Sequence, residues 1–397
     1  MRLLISSDQL GTDMSLLYDG SSVSWVSNNQ EYFKDSILYG FDGIDSCEAV
    51  EALNIDVPML KSTPWFSSLA YFDVSGCKIP WRMCMPGREW RLFTKNLVDC
   101  LWLNLSDPDN HYYVSTFKRN RELIRGLSAA HIDTVVLDEL LKSSPANARH
   151  QLVKFVPKSK GIAPSSRYSI SKSVTGRMTI TDGPNILTLK KEYRKILRSR
   201  WGKKGKIFEI DIQSVEPRVA LSFFGKSVEG DVYTSVMDYL EIEIKRPAAK
   251  IATLSAIYGA SHHTLSAMLP DSINALDILQ SVKDFFGIRH IEKMLKEQHE
   301  LLGYTKNSHG RKIFSETPSV NHLIQSSSVD VSFDVFESLC NRLTNSNIKF
   351  KPIYFIHDAI IIDVHIDSID NLLELVKEEV YVQNVDQNFP VNIEEIS

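Results

Sequence analysis

The stretch Ile207–Gly259 constrains this chain more than any other. It opens with a short apolar run, Ile207–Ile210, that predicts a strand delivering a carboxylate, Asp211, at its end. It closes with RPAAKIATLSAIYG, in which Arg246, Lys250 and Tyr258 recur at steps of four and eight residues. On a helix those three side chains share roughly one face. A fixed carboxylate opposite a cationic helix stripe is what a nucleoside triphosphate and its metal need. Glu209, two residues before Asp211 and therefore on the same strand face, is the rival carboxylate.

A chain of 397 residues has room for two or three domains and a large core, and 43% hydrophobic with 24% charged residues is an ordinary globular composition. No apolar run approaches the roughly 18 to 20 residues of a membrane helix. The opening MRLLISSDQLG lacks the apolar core and cleavage site of a secretory leader, so a cytoplasmic protein is expected. Five cysteines without a C-x-x-C pair argue for reduced thiols rather than a disulfide framework. The net charge of −4 conceals a strong asymmetry. Between Lys118 and Lys206 stand 21 Lys and Arg against 6 Asp and Glu, whereas the first 110 residues carry 8 basic against 15 acidic residues. One long basic tract in an acidic protein predicts a polyanion lying along it.

The front of the chain holds short strand-like runs, Arg2–Ile5 and Ser22–Val26, split by Gly, Asp and Asn. A metal-dependent exonuclease needs two carboxylates one pleat apart, as in D-x-E at a strand end. None is present despite Asp8, Asp13, Asp19, Asp42 and Asp45, so a small mixed α/β domain without visible chemistry is expected. From Tyr112 to Pro157 the pattern turns helical, with Leu123, Leu127, Val135 and Leu141 as candidate core positions and Pro145 as a stop. Next come turn-rich segments: Val174-Thr175-Gly176-Arg177, which sets an arginine after a flexible glycine, and Asp182-Gly183-Pro184-Asn185. A basic helix is expected over Lys190–Arg200.

Asp211-Ile-Gln-Ser-Val-Glu216-Pro-Arg218 resembles motif A of the A-family DNA polymerases, the group of bacterial DNA polymerase I. Arg246-x-x-x-Lys250-x-x-x-Leu254-x-x-x-Tyr258-Gly259 resembles motif B, and Ile353-Tyr-Phe-Ile-His357-Asp358 followed by an apolar run resembles motif C. Gly303–Lys312 and Asn321-His-Leu-Ile-Gln325 resemble the segments between motifs B and C, and all stand in family order over about residues 112 to 397. The resemblance implies an α+β right-hand polymerase, its palm an antiparallel sheet, its fingers and thumb helical, after a small N-terminal α/β domain. The implied division is 1–111 for that domain, which lacks an exonuclease motif, 112–170 for the thumb, 171–235 and 320–397 for the palm, and 236–319 for the fingers.

It implies template-directed extension of a primer by dNTPs, with Asp211 and Asp358 holding two Mg²⁺ ions (Mn²⁺ as the alternative) and Lys250 as general acid. Arg246, Lys250, Leu254, Tyr258 and Glu216 would bind the nucleotide, Glu216 by rejecting a ribose 2′-hydroxyl. Arg177, Asn185, Gly259, Arg311, Asn321, Gln325 and His357 would meet primer–template DNA, and residues 1–111 other replication proteins. The chain departs from the family pattern at Leu254, where an aromatic is usual, at Ala359, usually acidic, at Pro217, at Ser326 and in the short Arg311–Asn321 interval. Small size points to a viral or plasmid-like genome, hence a host cytoplasm. A single-subunit RNA polymerase and a catalytically silent DNA- or partner-binding module are the rival readings.

Overall fold

The computed structural model describes residues 2–27, 30–33, 36–41, 50–53, 55–59, 63–65, 67, 80–242, 244–259, 263–270 and 273–396. Cys47, Cys77, Asp42 and Asp45 lie outside them. The chain divides into two compact units, Met1–Arg121 and Glu122–Ser397.

In the first unit the strands β1 (Arg2–Ile5), β2 (Ser15–Tyr18), β3 (Val23–Val26) and β4 (Ser36–Tyr39) form a sheet in the order β3-β2-β1-β4. β1 pairs antiparallel with β2 and parallel with β4, so the sheet is mixed. Leu3, Leu4 and Ile5 are buried, because the central strand is covered on both faces. The helix α1 (Gly87–Ser106) buries Trp90, Leu97, Val98, Leu101 and Leu105, a stripe at the 3.6-residue period. α2 (Pro108–Arg125) follows.

The second unit starts its helical portion with α3 (Thr134–Ser143) and α4 (Ala146–Leu152). Asp133 caps α3 through the backbone N–H groups of Val135 and Val136, and Pro145 precedes α4 instead of interrupting a helix. Two expectations fail here. Val135 is exposed while Leu137 is the buried residue of α3, because the cap at Asp133 sets a phase that turns Val135 outward. Lys190–Arg200 is not one basic helix. It is a run of tight helical turns, Lys191–Ile196, followed by a short strand, Leu197–Arg198, paired with His131–Ile132. Burial of Ile196 and Leu197 against the core takes precedence over charge pattern.

The hairpin β5 (Arg167–Ser169) and β6 (Thr179–Asp182) leads to β7 (Gly205–Ile212), whose end carries Asp211. Then come α5 (Val215–Phe223), α6 (Val232–Leu240), α7 (Arg246–Tyr258), α8 (Ala275–Phe285), α9 (Ile288–Leu302) and the long α10 (Val320–Asn345). The chain returns through β8 (Phe350–Ile356), β9 (Ala359–His365) and β10 (Val391–Ile396). β7 to β10 make one antiparallel sheet in the order β8-β9-β7-β10. β9 is buried from Ala359 to Val364, as a strand covered on both faces must be. α10 backs the sheet through Phe333 and Phe336, whose ring centroids lie 5.6 and 5.2 Å from that of Phe355. No described helix is long and apolar enough to cross a membrane.

Candidate active site

Three local devices bring distant residues to one end of this sheet. Ile356 pairs with Ala359, so His357 and Asp358 form a two-residue hairpin turn. His357 adopts φ +52°, a left-handed conformation that costs a non-glycine residue roughly 1 kcal/mol or more. Ala359 in turn faces Asp211 across the β9–β7 ladder, and the Ile212 N–H donates to the Asp358 carbonyl at 2.9 Å. Two aspartates far apart in sequence thus stand at the same end of adjacent strands. The second device is Ser214, left-handed at φ +52°, which turns β7 into α5. Glu216 then lies in the first turn of α5, beside the strand end. Pro217 fits there because a first-turn N–H has no partner within the helix.

The third device is α7. Pro247 lies in its first turn, and Gly259 ends it at φ +66° with its N–H on the Ser255 carbonyl. Ala248, Ala249, Ala252, Ala256 and Ile257 are buried, leaving Arg246 and Lys250 exposed on the other face. Asp231, the N-cap of α6, binds Arg246 through both carboxylate oxygens, at 3.0 Å to Nε and 2.8 Å to Nη2. That pairing holds the Asp231 carboxyl below the usual range.

These devices line a cavity of about 500 Å³ with Asp211, Asp358, Glu216, Arg246, Lys250, Leu254, Arg177, Gln325 and His357. Nine of the expected site residues therefore share one space. Burial pushes the Asp211 carboxyl up to about 6, helped by the negative charges of Asp358 and Glu209 and opposed by Lys191 and Lys250. Burial also raises Asp358, and it lowers His357, whose imidazolium Arg177 further disfavours. Glu209 does not share the cavity's chemistry. It is buried in an ion pair with Arg194, with Lys191 at 3.9 Å.

Glu216 accepts from Arg177 Nη2 at 2.8 Å and from the Tyr258 hydroxyl. Tyr258 thus reaches the site through Glu216, and its phenol is raised chiefly by burial. Arg218 is 1% exposed, its guanidinium donating to the carbonyls of Val228, Gly230 and Asn388, so it leaves Glu216 to Arg177.

The remaining expected residues lie elsewhere. Asn185 caps a short helical turn by accepting from the Leu187 N–H. Asn321 stands one turn before Gln325 on α10, and its buried Oδ1 has no hydrogen-bond partner among the described residues. Arg311 is buried, donating at 3.1 Å to the carbonyls of both Ile170 and Ser173. Its own loop hangs on Asn307, whose Oδ1 accepts from the Arg311 and His309 N–H groups and whose Nδ2 donates to Asp330 at 2.7 Å. Arg311 thereby supports the Thr175-Gly176-Arg177 turn from beneath. A Cβ on Gly176, at φ +73°, would lie 2.8 Å from the Arg311 guanidinium. Gly176→Ala is accordingly expected to cost about 1–3 kcal/mol, read as a lower urea midpoint at unchanged m-value.

Sequence reasoning missed Asp231, Tyr233, Gln213 and Asn392. Gln213 and Asn392 line the cavity joined by a 2.7 Å hydrogen bond, and only the pairing of β10 with β7 sets Asn392 opposite Asp211. Asp231 had a signal. An Asp three residues before Thr234 is an N-cap pattern, and the Asp231 side chain does accept from the Thr234 N–H.

The antiparallel sheet with carboxylates at one end belongs to a right-hand polymerase fold, as the match to a solved polymerase domain shows. The chain resembles the A-family DNA polymerases in sequence and in fold. It is 25% identical over 293 residues to DNA polymerase I of Lactococcus lactis, an alignment that spans 61% of this chain and 33% of that protein. Among solved structures it matches the POL domain of Pol1 from M. smegmatis, captured with DNA primer-template and dNTP, at a TM-score of 0.62 and 12% identity. That match covers 96% of this chain and 92% of the other. No protein-family model matches. The chain spans about a third of the length of its curated relative.

Proposed function

We propose that the chain is a template-directed DNA polymerase, adding dNTPs to a primer 3′ end by metal-assisted phosphoryl transfer. The observation that carries this reading is the cavity itself, lined by a carboxylate at the end of one strand, a second in the turn that leads into its neighbour, and Lys250 and Arg246 from α7. The donor set fits a hard divalent cation, since Asp211 and Asp358 are both raised and Asp358 adds to the rise of Asp211. Bound there, two Mg²⁺ ions, with Mn²⁺ as the alternative, would activate the primer hydroxyl and steady the departing pyrophosphate.

The other roles fall to the chain's own side chains. Arg246 and Lys250 offset the charge growing on pyrophosphate, and Lys250 supplies it a proton. Arg177 and Gln325 donate to minor-groove acceptors common to every base pair, and His357 sits by the primer terminus. Tyr258 stacks beside the templating base, and Gly259 lets the helix end pivot. Glu216, held by Arg177 and Tyr258, crowds the sugar 2′ position. In this reading residues 112–170 are the thumb, 171–235 and 320–397 the palm, and 236–319 the fingers. Residues 1–111 are a surface for other replication proteins.

Extension of a primed template with dNTPs or NTPs tests the reading. Incorporation of dNTPs supports it, preference for NTPs would overturn it in favour of an RNA polymerase, and no incorporation would favour a silent binding module. Glu216→Ala is expected to reduce discrimination against ribonucleotides by about tenfold to a hundredfold, measured as a ratio of kcat/KM values.

A further inference from the structure

Arg246 and Lys250 present a physical difficulty, because like charges one helical turn apart repel and long basic side chains are mobile. Asp231 settles only Arg246. Lys250 has no hydrogen bond or ion pair among the described residues. Both cations share a different neighbour. The Tyr233 ring lies with its centroid 5.0 Å from Arg246 Cζ and 6.0 Å from Lys250 Nζ, within cation–π range of each. Tyr233 is 6% exposed and lines the cavity together with Ser214, the left-handed residue between Asp211 and Glu216. It stands in the first turn of α6, two residues after the Asp231 cap, so the element that grips Arg246 also sets the ring.

We propose that Tyr233 is a positioning residue. It holds Lys250 and Arg246 against one aromatic ring, aimed at a bound triphosphate, in the same cavity as the carboxylates. The triphosphate rests on the polymerase reading above. The shared ring offsets part of the mutual repulsion of the two cations and limits the rotamers of Lys250, so the stripe meets a polyanion already assembled. The charged groups that act on Tyr233 are Arg246 on α7, Asp231 before α6 and Glu216 on α5.

The test uses the full chain without DNA, titrated with inorganic tripolyphosphate and Mg²⁺ in a calorimeter. Tyr233→Leu is expected to weaken binding about fivefold to tenfold, and Tyr233→Phe, which keeps the ring, to restore most of that loss. In a Lys250→Ala background the leucine change is expected to have a smaller effect, because only Arg246 is then left for the ring to hold. Tetrafluorophenylalanine at position 233 keeps the shape while removing the attraction for cations. It is expected to behave as leucine does, and it decides the matter if Tyr233→Leu fails to fold. Wild-type affinity in the fluorinated protein, or losses that multiply independently with Lys250→Ala, would overturn the proposal. In primer extension the same variants are expected to lower kcat, through Lys250, and to raise the KM for dNTP, through Arg246, while Tyr233→Phe restores both. Coupled tripolyphosphate binding in a chain that extends no primer would remove the polymerase reading and leave the positioning role standing. Extension without coupling would do the reverse.

Discussion

Asp211→Asn and Asp358→Asn are each expected to lower primer extension by about 10³-fold or more, and Asp211→Asn also to make the metal-free protein more stable above pH 6. The loss follows from the donor set, because each change removes one of two carboxylates at the ends of paired strands. The gain follows from the same crowding. The Asp211 carboxyl sits at about 6, pushed up first by burial and then by Asp358 and Glu209, so folding favours its protonated form. A group raised in the folded state contributes stability that is full below its unfolded value near 4 and is lost as pH rises through about 6. The metal-free wild type should therefore lose stability across that window. An Asn variant should lose less, by about 1 kcal/mol after allowing for partial exposure to water. Thermal unfolding in a chelator at pH 4.5 and pH 7.5 reads the difference. Equal melting temperatures for wild type and Asp211→Asn at pH 7.5 would sink the electrostatic account, and equal extension rates would sink the metal assignment.

Lys250→Ala is expected to slow incorporation by about 10²- to 10³-fold, with Arg246→Ala giving the smaller loss. The two differ because Asp231 already neutralises part of Arg246, whereas Lys250 makes no ion pair among the described residues. A full positive charge facing the cavity is the one suited to move a proton to the leaving pyrophosphate. Single-turnover rates across pH separate the roles. The Lys250→Ala defect should fall mainly on the chemical step, and the Arg246→Ala defect on dNTP affinity. A Lys250→Ala enzyme with wild-type single-turnover rate and only a raised KM would reject the general-acid role.

Much of the architecture was legible because it depends on short-range periodicity. Apolar runs over Arg2–Ile5 and Val23–Val26 form strands, and the RPAAKIATLSAIY segment forms a helix whose alanine face is buried and whose cationic face is open. The antiparallel palm sheet was implied by the resemblance of the motifs to the A-family polymerases, not by periodicity, and the observed sheet and fold match that expectation. Where tertiary packing competes with local pattern, the pattern loses. Lys190–Arg200 has the charge of a solvated helix, but Ile196 and Leu197 are drawn into the core and the segment becomes turns and a strand. Val135 fits an apolar stripe, but the Asp133 cap sets the phase of α3 and turns it to water.

The sequence by itself determined which residue types each element offers, because a carboxylate at a strand end and cations four residues apart on a helix are placed by local geometry. Only the tertiary structure decided which of them share a cavity. Sheet pairing brought in Asp358 and Asn392, neither of which has any local relation to Asp211. Burial chose between similar side chains: Glu209 was spent on Arg194, Arg218 and Arg311 on backbone carbonyls, and Arg177 was left for Glu216. The reason is the cost of an unpaired charge away from water. Once folding buries a charged group, its partner is set by whichever opposite charge or carbonyl the packing supplies, and no spacing in the chain records that choice.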